Sequence, residues 1–184
     1  MNYKEAIRKR YLLIRKKKYF KINSKFFYPL IKIIKDKFQK KIINISIYYP
    51  SFYEVDVLKV IDLENLKKFN FLLPIIERNN AMNFYRWKKN DILFVNRFGL
   101  LEPQKSLKKI PDIVLLPLIA FDKNKNRIGY GKGFFDKYLN RFIKNHKKIL
   151  TIGVAFSFQK HHNLPVNDKD YKLDYIITEK GLIK

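Results

Sequence analysis

The chain contains no cysteine, which excludes disulfides, a thiolate nucleophile and a cysteine-based zinc or iron–sulfur site. Glycine and alanine are also scarce, with 6 and 4 among 184 residues. No apolar run approaches the roughly 18 residues of a membrane helix, and the basic, aromatic start lacks the features of a signal peptide. These absences predict a cytoplasmic protein without a membrane partner, whose chemistry depends on other side chains.

Acidic residues are few as well, since 40 Lys and Arg stand against 16 Asp and Glu and give a net charge of +24. Of the basic residues 32 are Lys and only 8 are Arg, although recognition of base edges and phosphates favours Arg. Lys, Ile, Asn, Phe and Tyr together make up 100 of the 184 residues, a composition typical of an AT-rich genome. The lysines are spread over the chain, so we expect no specific nucleic-acid partner.

The size of the chain and its hydrophobic fraction of 47% allow a folded core, which excludes disorder as the main state. No internal repeat, Gly/Ser linker or Pro-rich tract divides the sequence. We therefore expect a single domain over residues 1–184, and we expect it to be a monomer.

Hydrophobic spacing predicts the order of the secondary-structure elements. Helices are predicted at 3–20, 24–40, 54–68 and 134–145. Strands are predicted at 42–49, 69–75, 112–117, 149–156 and 173–178, with shorter strands between 82 and 103. Strands that alternate with helices indicate an α/β sheet covered on both faces.

The most informative segment is NRIGYGKGFFD, which begins at Asn126. Its three glycines occupy alternate positions, so backbone N–H groups can approach a ligand without obstruction by Cβ atoms. Such a loop before a helix is typical of an anion site, and Arg127 and Lys132 add positive charge. The spacing matches neither the Walker nor the dinucleotide-binding pattern. The alternative is a glycine-rich turn with two surface cations.

Asp136 falls in the first turn of the helix predicted after this loop. A carboxylate at that position can simply complement the helix dipole. It can also hold a magnesium ion whose other ligands are water and phosphate oxygens. The sequence pattern leaves both interpretations open.

Two runs resemble the signature of the 5-formyltetrahydrofolate cyclo-ligases, also called methenyltetrahydrofolate synthetases. They are DIVLLPLIAFD from Asp112 and RIGYGKGFFD from Arg127. Further matches in that family's order and spacing are Lys4 and Arg8, Tyr49 with Glu54-Val55-Asp56, Phe98-Gly99 with Glu102-Pro103, Gly153 to Phe156, Gln159, Leu164 to Val166 and Leu173 to Glu179. The resemblance spans nearly all of the chain.

The resemblance implies an enzyme that converts 5-formyltetrahydrofolate to 5,10-methenyltetrahydrofolate with ATP and magnesium, releasing ADP and phosphate. In that family the formyl oxygen is phosphorylated by ATP, and nitrogen 10 then closes the ring. Phosphoryl transfer of this kind depends on positioning and charge neutralisation. The implied fold is a three-layer α/β sandwich with a central, largely parallel sheet, of the cyclo-ligase (NagB/RpiA/CoA transferase-like) type.

The resemblance also implies roles for individual residues. ATP would bind Lys4, Arg8, Arg127, Ile128, Gly129, Tyr130, Gly131, Lys132, Gly133, Phe134 and Phe135, with Arg127 and Lys132 as the catalytic cations. The folate would contact Arg8, Tyr49, Glu54, Tyr130 and Phe134. Magnesium would bind Asp136 and Asp174.

The first predicted helix independently brings three cations together. At 100° per residue, Lys4, Arg8 and Arg15 fall within about 40° of one another, beside an apolar stripe. That edge of the helix could face a phosphate group. The alternative is a solvated basic face on a lysine-rich protein.

Position 118 departs from the family pattern, because Leu118 stands where Gly is usual. A leucine there would crowd a close backbone approach to a ligand and alter the strand-to-loop geometry. Two rival functions share the same motifs. One is an RNA-binding module on this scaffold, with salt-dependent affinity and no use of ATP; the other is a kinase-like enzyme that phosphorylates a different small acceptor.

Overall fold

A computed structural model describes residues 2–39, 42–144 and 148–184. The α-helices are α1 (Tyr3–Lys18), α2 (Tyr28–Lys37) and α3 (Phe134–Lys144). The strands are β1 (Asn44–Ser46), β2 (Asn70–Ile76), β3 (Met82–Arg86), β4 (Leu93–Val95), β5 (Leu101–Pro103), β6 (Lys108–Lys109), β7 (Ile113–Pro117), β8 (Ala120–Phe121), β9 (Arg127–Ile128), β10 (Leu150–Val154), β11 (Tyr175–Thr178) and β12 (Gly181–Ile183). Among these described residues, no helix is both long enough and apolar enough to cross a bilayer.

Eight strands form one mixed sheet in the order β12-β11-β10-β7-β1-β2-β3-β6. The five central strands, from β11 to β2, pair in parallel. The three others, β12, β3 and β6, are antiparallel to their neighbours. Two small hairpins, β4–β5 and β8–β9, lie outside this sheet. The prediction of an α/β fold with a largely parallel central sheet is confirmed.

The central strands β2, β7 and β10 are mostly buried on both faces of the sheet, and they are apolar at successive positions. In β2, Phe71 and Leu73 pack in one core cluster with residues of α2, whereas Leu72 packs in a second cluster with residues of α3. The strand β7 divides its residues in the same way. Continuous apolar strands with helices on both faces are what a parallel sheet requires.

Helix α1 packs through a separate, smaller core cluster. Its residues Ile7 and Tyr11 contact a cluster that contains Ile119, Ile128 and Leu164. Asn2 caps the helix by accepting a hydrogen bond from the Lys4 N–H at 3.1 Å. The helix therefore lies across the segment that connects β7 to the glycine-rich loop.

The helix predicted over 24–40 starts in a different form. Residues Ser24–Phe27 are a 3-10 helix, and α2 follows directly, with Pro29 in its first turn. Proline favours the first turn of an α-helix because its missing N–H would have no partner there. Residue 40 lies outside the described residues, as do the last position predicted for α3, Asn145, and the two that follow it.

The predicted helix over 54–68 is wrong as an α-helix. The structure has two 3-10 helices instead, Val57–Asp62 and Glu64–Leu66, separated by Leu63 with an extended ψ of 118°. The apolar side chains Val57, Val60 and Leu66 are buried all the same. β-Branched residues lose side-chain freedom in an α-helix, and the hydrophobic spacing alone does not distinguish the two helix types.

Leu118 turns its side chain into the core instead of crowding the cavity described below. It is buried in the cluster on the α3 side of the sheet, and its backbone φ is not positive. A Cβ atom built on Gly153 would lie 2.8 Å from Leu118 Cδ2 and 2.7 Å from Leu173 Cδ1. The leucine at 118 therefore fills the space above a glycine of β10.

We expect Gly153→Ala to lower the free energy of unfolding by about 1–3 kcal/mol, because the added methyl group overpacks this contact. Combining it with Leu118→Ala should recover part of that loss. The double variant should then lose less unfolding free energy than the sum of the losses in the two single variants. Chemical denaturation of the four proteins measures this coupling. Strict additivity would contradict the proposed contact.

Candidate active site

A cavity of about 550 Å³ opens beside the carboxyl ends of β2 and β7, and the glycine-rich loop, α1 and the β4–β5 hairpin complete its walls. Open α/β sheets bind ligands at this edge. Most of the residues predicted from the sequence line it: Lys4, Arg8, Tyr49, Glu54, Arg127, Ile128, Gly129, Tyr130, Gly131, Lys132, Gly133, Phe134, Phe135 and Asp136. Asp174 does not line it.

The glycine-rich loop connects β9 to α3 and needs its glycines for two reasons. Gly131 and Gly133 have φ angles of 93° and 67°, a region that side chains with a Cβ atom rarely adopt. A Cβ atom on Gly131 would also lie 3.4 Å from Cζ of Arg8. The loop backbone thus lies directly against the guanidinium of α1, close to the N-terminus of α3.

Of the three cations predicted on one edge of α1, Lys4 and Arg8 line the cavity and Arg15 does not. Arg8 donates from Nε to the Gly129 carbonyl at 2.8 Å and from Nη1 to Glu5 at 2.9 Å. Lys4 forms an ion pair with Asp170, whose Oδ2 also accepts the N–H of Asn167. Positive charge from the first helix therefore stands next to the loop and is balanced there by two carboxylates.

Arg127 and Asp136 form a partly buried ion pair at the start of α3. Arg127 Nη2 donates to Asp136 Oδ1 at 2.7 Å, and its Nη1 donates to the Tyr171 carbonyl at the same distance. The Tyr171 N–H also donates to Asp136 Oδ1, at 3.1 Å. Oδ2 of Asp136 accepts no hydrogen bond from the described residues, so one carboxylate oxygen is available to a ligand in the cavity.

The two carboxylates predicted to share a metal differ in their surroundings, since Asp136 lines the cavity and Asp174 does not. Asp174 Oδ2 accepts hydrogen bonds from the N–H and the hydroxyl of Thr151, both at 2.8 Å. Asp174 thereby joins β10 to the start of β11, a structural role at that position. Within the described ranges, no cluster of three or more His, Asp and Glu side chains could hold a metal ion.

A buried network links Glu54 to Tyr130 of the glycine-rich loop and, through it, to Arg15 of α1. Oε1 of Glu54 accepts from the Tyr130 hydroxyl at 2.6 Å, and Oε2 accepts from the Ser51 N–H at 2.8 Å. Tyr130 in turn accepts from Nη2 of Arg15 at 2.5 Å. Tyr130 is 38% exposed as a whole residue, but its hydroxyl is engaged in this network.

Burial raises the pKa of Glu54, while the hydrogen bonds from Tyr130 and Ser51 and the positive charge of Arg15 oppose that rise. Burial, reinforced by the nearby Glu54 charge, also raises the pKa of Tyr130 far above its ordinary value. Tyr130 therefore stays a neutral donor, and Tyr130, Ser51 and Arg15 together favour the ionised form of Glu54. A buried carboxylate with free lone pairs suits the N–H groups of a heterocycle.

Arg15 is the main residue that the site assignment from sequence missed. It is 1% exposed, and besides Tyr130 it contacts the Leu118 carbonyl at 3.3 Å. The helical projection placed it beside Lys4 and Arg8, which was the available signal. Its partners lie 103 and 115 positions further along the chain, and no local pattern indicates them.

A strained turn precedes Glu54. Phe52 and Tyr53 have φ angles of 47° and 61°, and the Glu54 N–H donates to the Ser51 carbonyl at 2.9 Å, which closes the turn. Positive φ at both central positions is the geometry of a type I′ turn, normally made by Asn and Gly. For bulky residues each such conformation costs about 1–3 kcal/mol. The sequence gives no sign of this turn.

The β4–β5 hairpin forms the remaining wall of the cavity. Glu102 ties it to the end of β2, since its Oε1 accepts from the Ile76 N–H and from Asn96 Nδ2, both at 2.7 Å. Phe98 lies at the tip of the hairpin. The centroid of its ring is 5.6 Å from the centroid of the Phe134 ring and 5.8 Å from Nζ of Lys132. Neither Phe98 nor Asp170 was assigned to the site from the sequence, although both line the cavity.

A family model described as the 5-formyltetrahydrofolate cyclo-ligase family matches residues 2–179. The chain belongs to this family. It is accordingly an enzyme with 5-formyltetrahydrofolate cyclo-ligase activity, an ATP-dependent ligase of folate one-carbon metabolism. The resemblance found in the sequence motifs is confirmed.

Individual relatives agree. The chain is 29% identical over 147 residues to a cyclo-ligase of Haemophilus influenzae, covering 76% of this chain and 78% of the relative. It is 33% identical over 135 residues to the cyclo-ligase of Mycoplasma genitalium, and this match covers 73% of this chain and 71% of the relative. The solved structure of the Aquifex aeolicus 5,10-methenyltetrahydrofolate synthetase has a TM-score of 0.78 and 30% identity, and the match covers 100% of this chain and 93% of that one. The Mycoplasma pneumoniae synthetase gives a TM-score of 0.70 with 25% identity, covering 97% and 99%.

Proposed function

We propose that this cyclo-ligase binds ATP at the glycine-rich loop and reduced formyl folate at the Glu54 wall, and that magnesium assists the transfer of phosphate to the formyl oxygen. One observation carries the proposal. A single cavity is lined by the cationic, glycine-rich loop and by a buried carboxylate with a neutral tyrosine donor. The two substrates can therefore meet in one site, as their reaction requires.

The phosphate side consists of the loop backbone, Arg8 and Lys132. The left-handed glycines leave room for phosphate oxygens beside the backbone N–H groups, and the helix that follows adds its dipole. Asp136 fits magnesium, because this ion usually takes one or two carboxylates and completes its shell with phosphate oxygens and water. Magnesium would supply positive charge that neutralises the phosphates.

The two cations of the loop, Arg127 and Lys132, have different proposed roles. Both terminal nitrogens of Arg127 are engaged, with Asp136 and with the Tyr171 carbonyl, so we assign Arg127 to positioning that carboxylate. Lys132 is exposed at the cavity, and we propose that it is the cation which contacts the transferred phosphoryl group. Lys4 is paired with Asp170, and we propose that it adds positive charge to the cavity wall near the phosphates.

The folate side consists of Glu54, Tyr130, Tyr49 and Phe134. Glu54 would accept hydrogen bonds from N–H groups of the pterin, and the aromatic side chains would cover the ring faces. Tyr130 belongs to both sides, since its backbone lies in the phosphate loop and its hydroxyl holds Glu54. This residue therefore couples the orientation of the folate to the shape of the loop.

We further propose that the enzyme acts as a cytoplasmic monomer without a specific nucleic-acid partner. The even distribution of lysine along the chain supports the last point. An RNA affinity that competes with folate would contradict it.

The test follows the absorbance of the methenyl product while the purified protein is mixed with 5-formyltetrahydrofolate and ATP. We expect product only when magnesium is present, and we expect excess chelator to stop the reaction until magnesium is restored. ADP and phosphate should appear in a one-to-one ratio with product. Turnover that persists without a divalent ion would contradict the magnesium proposal, and ATP consumption without methenyl product would favour a different acceptor.

A further inference from the structure

Among the described residues that line the cavity, Phe52 is the most exposed apolar side chain, and the proposed function leaves it unused. It is 65% exposed and lines the cavity. Its one aromatic neighbour among the described residues is Tyr130, with ring centroids 6.3 Å apart. The ring is thus placed at the mouth of the site without being packed into the core.

The backbone that carries this ring is strained. Phe52 and Tyr53 both occupy the left-handed region, which bulky side chains avoid. The turn is held in place by Glu54, whose carboxylate accepts the Ser51 N–H and its hydroxyl. A strained conformation that the surrounding structure enforces is characteristic of functional sites.

The two residues of the turn differ in what they contact. The ring of Tyr53 packs edge-on against Tyr19 at 5.7 Å and does not line the cavity. The ring of Phe52 lines the cavity, and its aromatic neighbour among the described residues is Tyr130 at the same cavity. The ring of Tyr53 is therefore used in a contact away from the cavity, whereas the ring of Phe52 is presented to the cavity, where a bound ligand can pack against it.

We propose that Phe52 is a specificity residue that packs against the benzoyl ring of the folate substrate. This inference rests on the proposed placement of the pterin at Glu54. Because Glu54 is buried and Phe52 lies at the surface two positions earlier, the part of the substrate that reaches Phe52 is the part which extends out of the cavity. In a reduced folate that part is an aromatic ring followed by a carboxylate tail, and offset aromatic pairs are favourable.

Phe52→Asn and Tyr53→Asn form a matched pair of tests, since asparagine tolerates the left-handed region and relieves strain at either position. For Phe52→Asn we expect the KM for 5-formyltetrahydrofolate to rise about tenfold, with the KM for ATP unchanged and the thermal midpoint equal or higher. For Tyr53→Asn we expect the folate KM to stay within twofold. Phe52→Tyr keeps the aromatic ring, so its KM for 5-formyltetrahydrofolate should stay close to the wild-type value.

Direct binding separates this inference from the proposed function. Fluorescence titration without ATP should show weaker binding of 5-formyltetrahydrofolate to Phe52→Asn than to wild type. A 5-formyltetrahydropterin that lacks the aminobenzoyl-glutamate group should bind both proteins equally. If Phe52→Asn weakens the pterin fragment to the same degree, or leaves folate binding unchanged, the assignment to the benzoyl ring is overturned. An inactive wild-type protein that still binds folate would instead contradict the proposed catalytic roles.

Discussion

Replacing Asp136 by Asn should reduce kcat by about a hundredfold or more, because the variant would hold magnesium poorly and so lose the stabilisation of transition-state charge that the ion would supply. The amide is nearly isosteric and can still accept through Oδ1 from Arg127 and from the Tyr171 N–H. What it loses is the negative charge and the second oxygen, which no described residue engages. The variant should therefore fold but bind magnesium poorly.

The measurement is a magnesium titration of turnover at saturating ATP and folate, with circular dichroism to verify the fold. We expect the magnesium concentration at half-maximal rate to rise together with the fall in kcat. Asp174→Asn is the matched control, because that carboxylate is engaged by Thr151 and lies outside the cavity lining. If Asp174→Asn raises the magnesium requirement as much, the sequence-based assignment of Asp174 to the metal is correct and Asp136 does not act alone.

Replacing Arg15 by Met should cause the largest loss of stability, about 3–5 kcal/mol at neutral pH. Arg15 is buried, and its guanidinium donates to the hydroxyl that holds Glu54. Methionine keeps most of the aliphatic volume but leaves the buried Glu54 carboxylate without a compensating charge. The folate KM should rise as well, since a protonated Glu54 accepts fewer hydrogen bonds.

The effect of Arg15→Met should depend on pH with a defined sign. The folded-state pKa of Glu54 already lies above its ordinary value of 4.5 because of burial, and the Arg15 charge limits that rise. Without Arg15 the folded-state pKa moves further up, so proton uptake by Glu54 favours the folded state at low pH and this benefit is lost as pH rises through the folded pKa. The stability difference from wild type should therefore be small near the ordinary pKa and grow towards pH 8.

Denaturant unfolding at several pH values between about 4.5 and 8 measures this dependence. Arg10→Met is the control on the same helix, since Arg10 is exposed and should change stability by no more than about 0.5 kcal/mol at any pH. A loss for Arg15→Met that is equal at all pH values would mean that Arg15 acts through packing and hydrogen bonds and not through its charge on Glu54.

The parts of the site that the sequence predicted are those encoded by local patterns. The alternating glycines of the loop, with Arg127 and Lys132, indicated an anion site, and the structure places all of them at the cavity. Helical projection likewise brought Lys4 and Arg8 to one edge of α1. In each case the relevant spacing is a few residues, so periodicity and backbone rules were sufficient.

The rest depends on contacts between distant segments. Glu54 was assigned to the folate, but its link to Arg15 passes through Tyr130, which lies 76 positions from Glu54 and 115 from Arg15. The turn at Phe52 and Tyr53 was not predicted because neither residue favours positive φ, and tertiary contacts impose it. The helix predicted over 54–68 failed because 3-10 and α-helices bury apolar residues at similar spacing.

The separate packing of α1 has a consequence for dynamics. This helix rests on its own small cluster around Ile7 and Tyr11, apart from the two clusters that cover the sheet, yet it supplies Lys4, Arg8 and Arg15 to the site. Segments packed this way can detach in a local opening that leaves the rest of the protein folded. Any ligand that binds only the closed form opposes such an opening by mass action. With the nucleotide bound by Lys4 and Arg8 as we propose, the affinity for the nucleotide and the local opening of α1 would be thermodynamically linked.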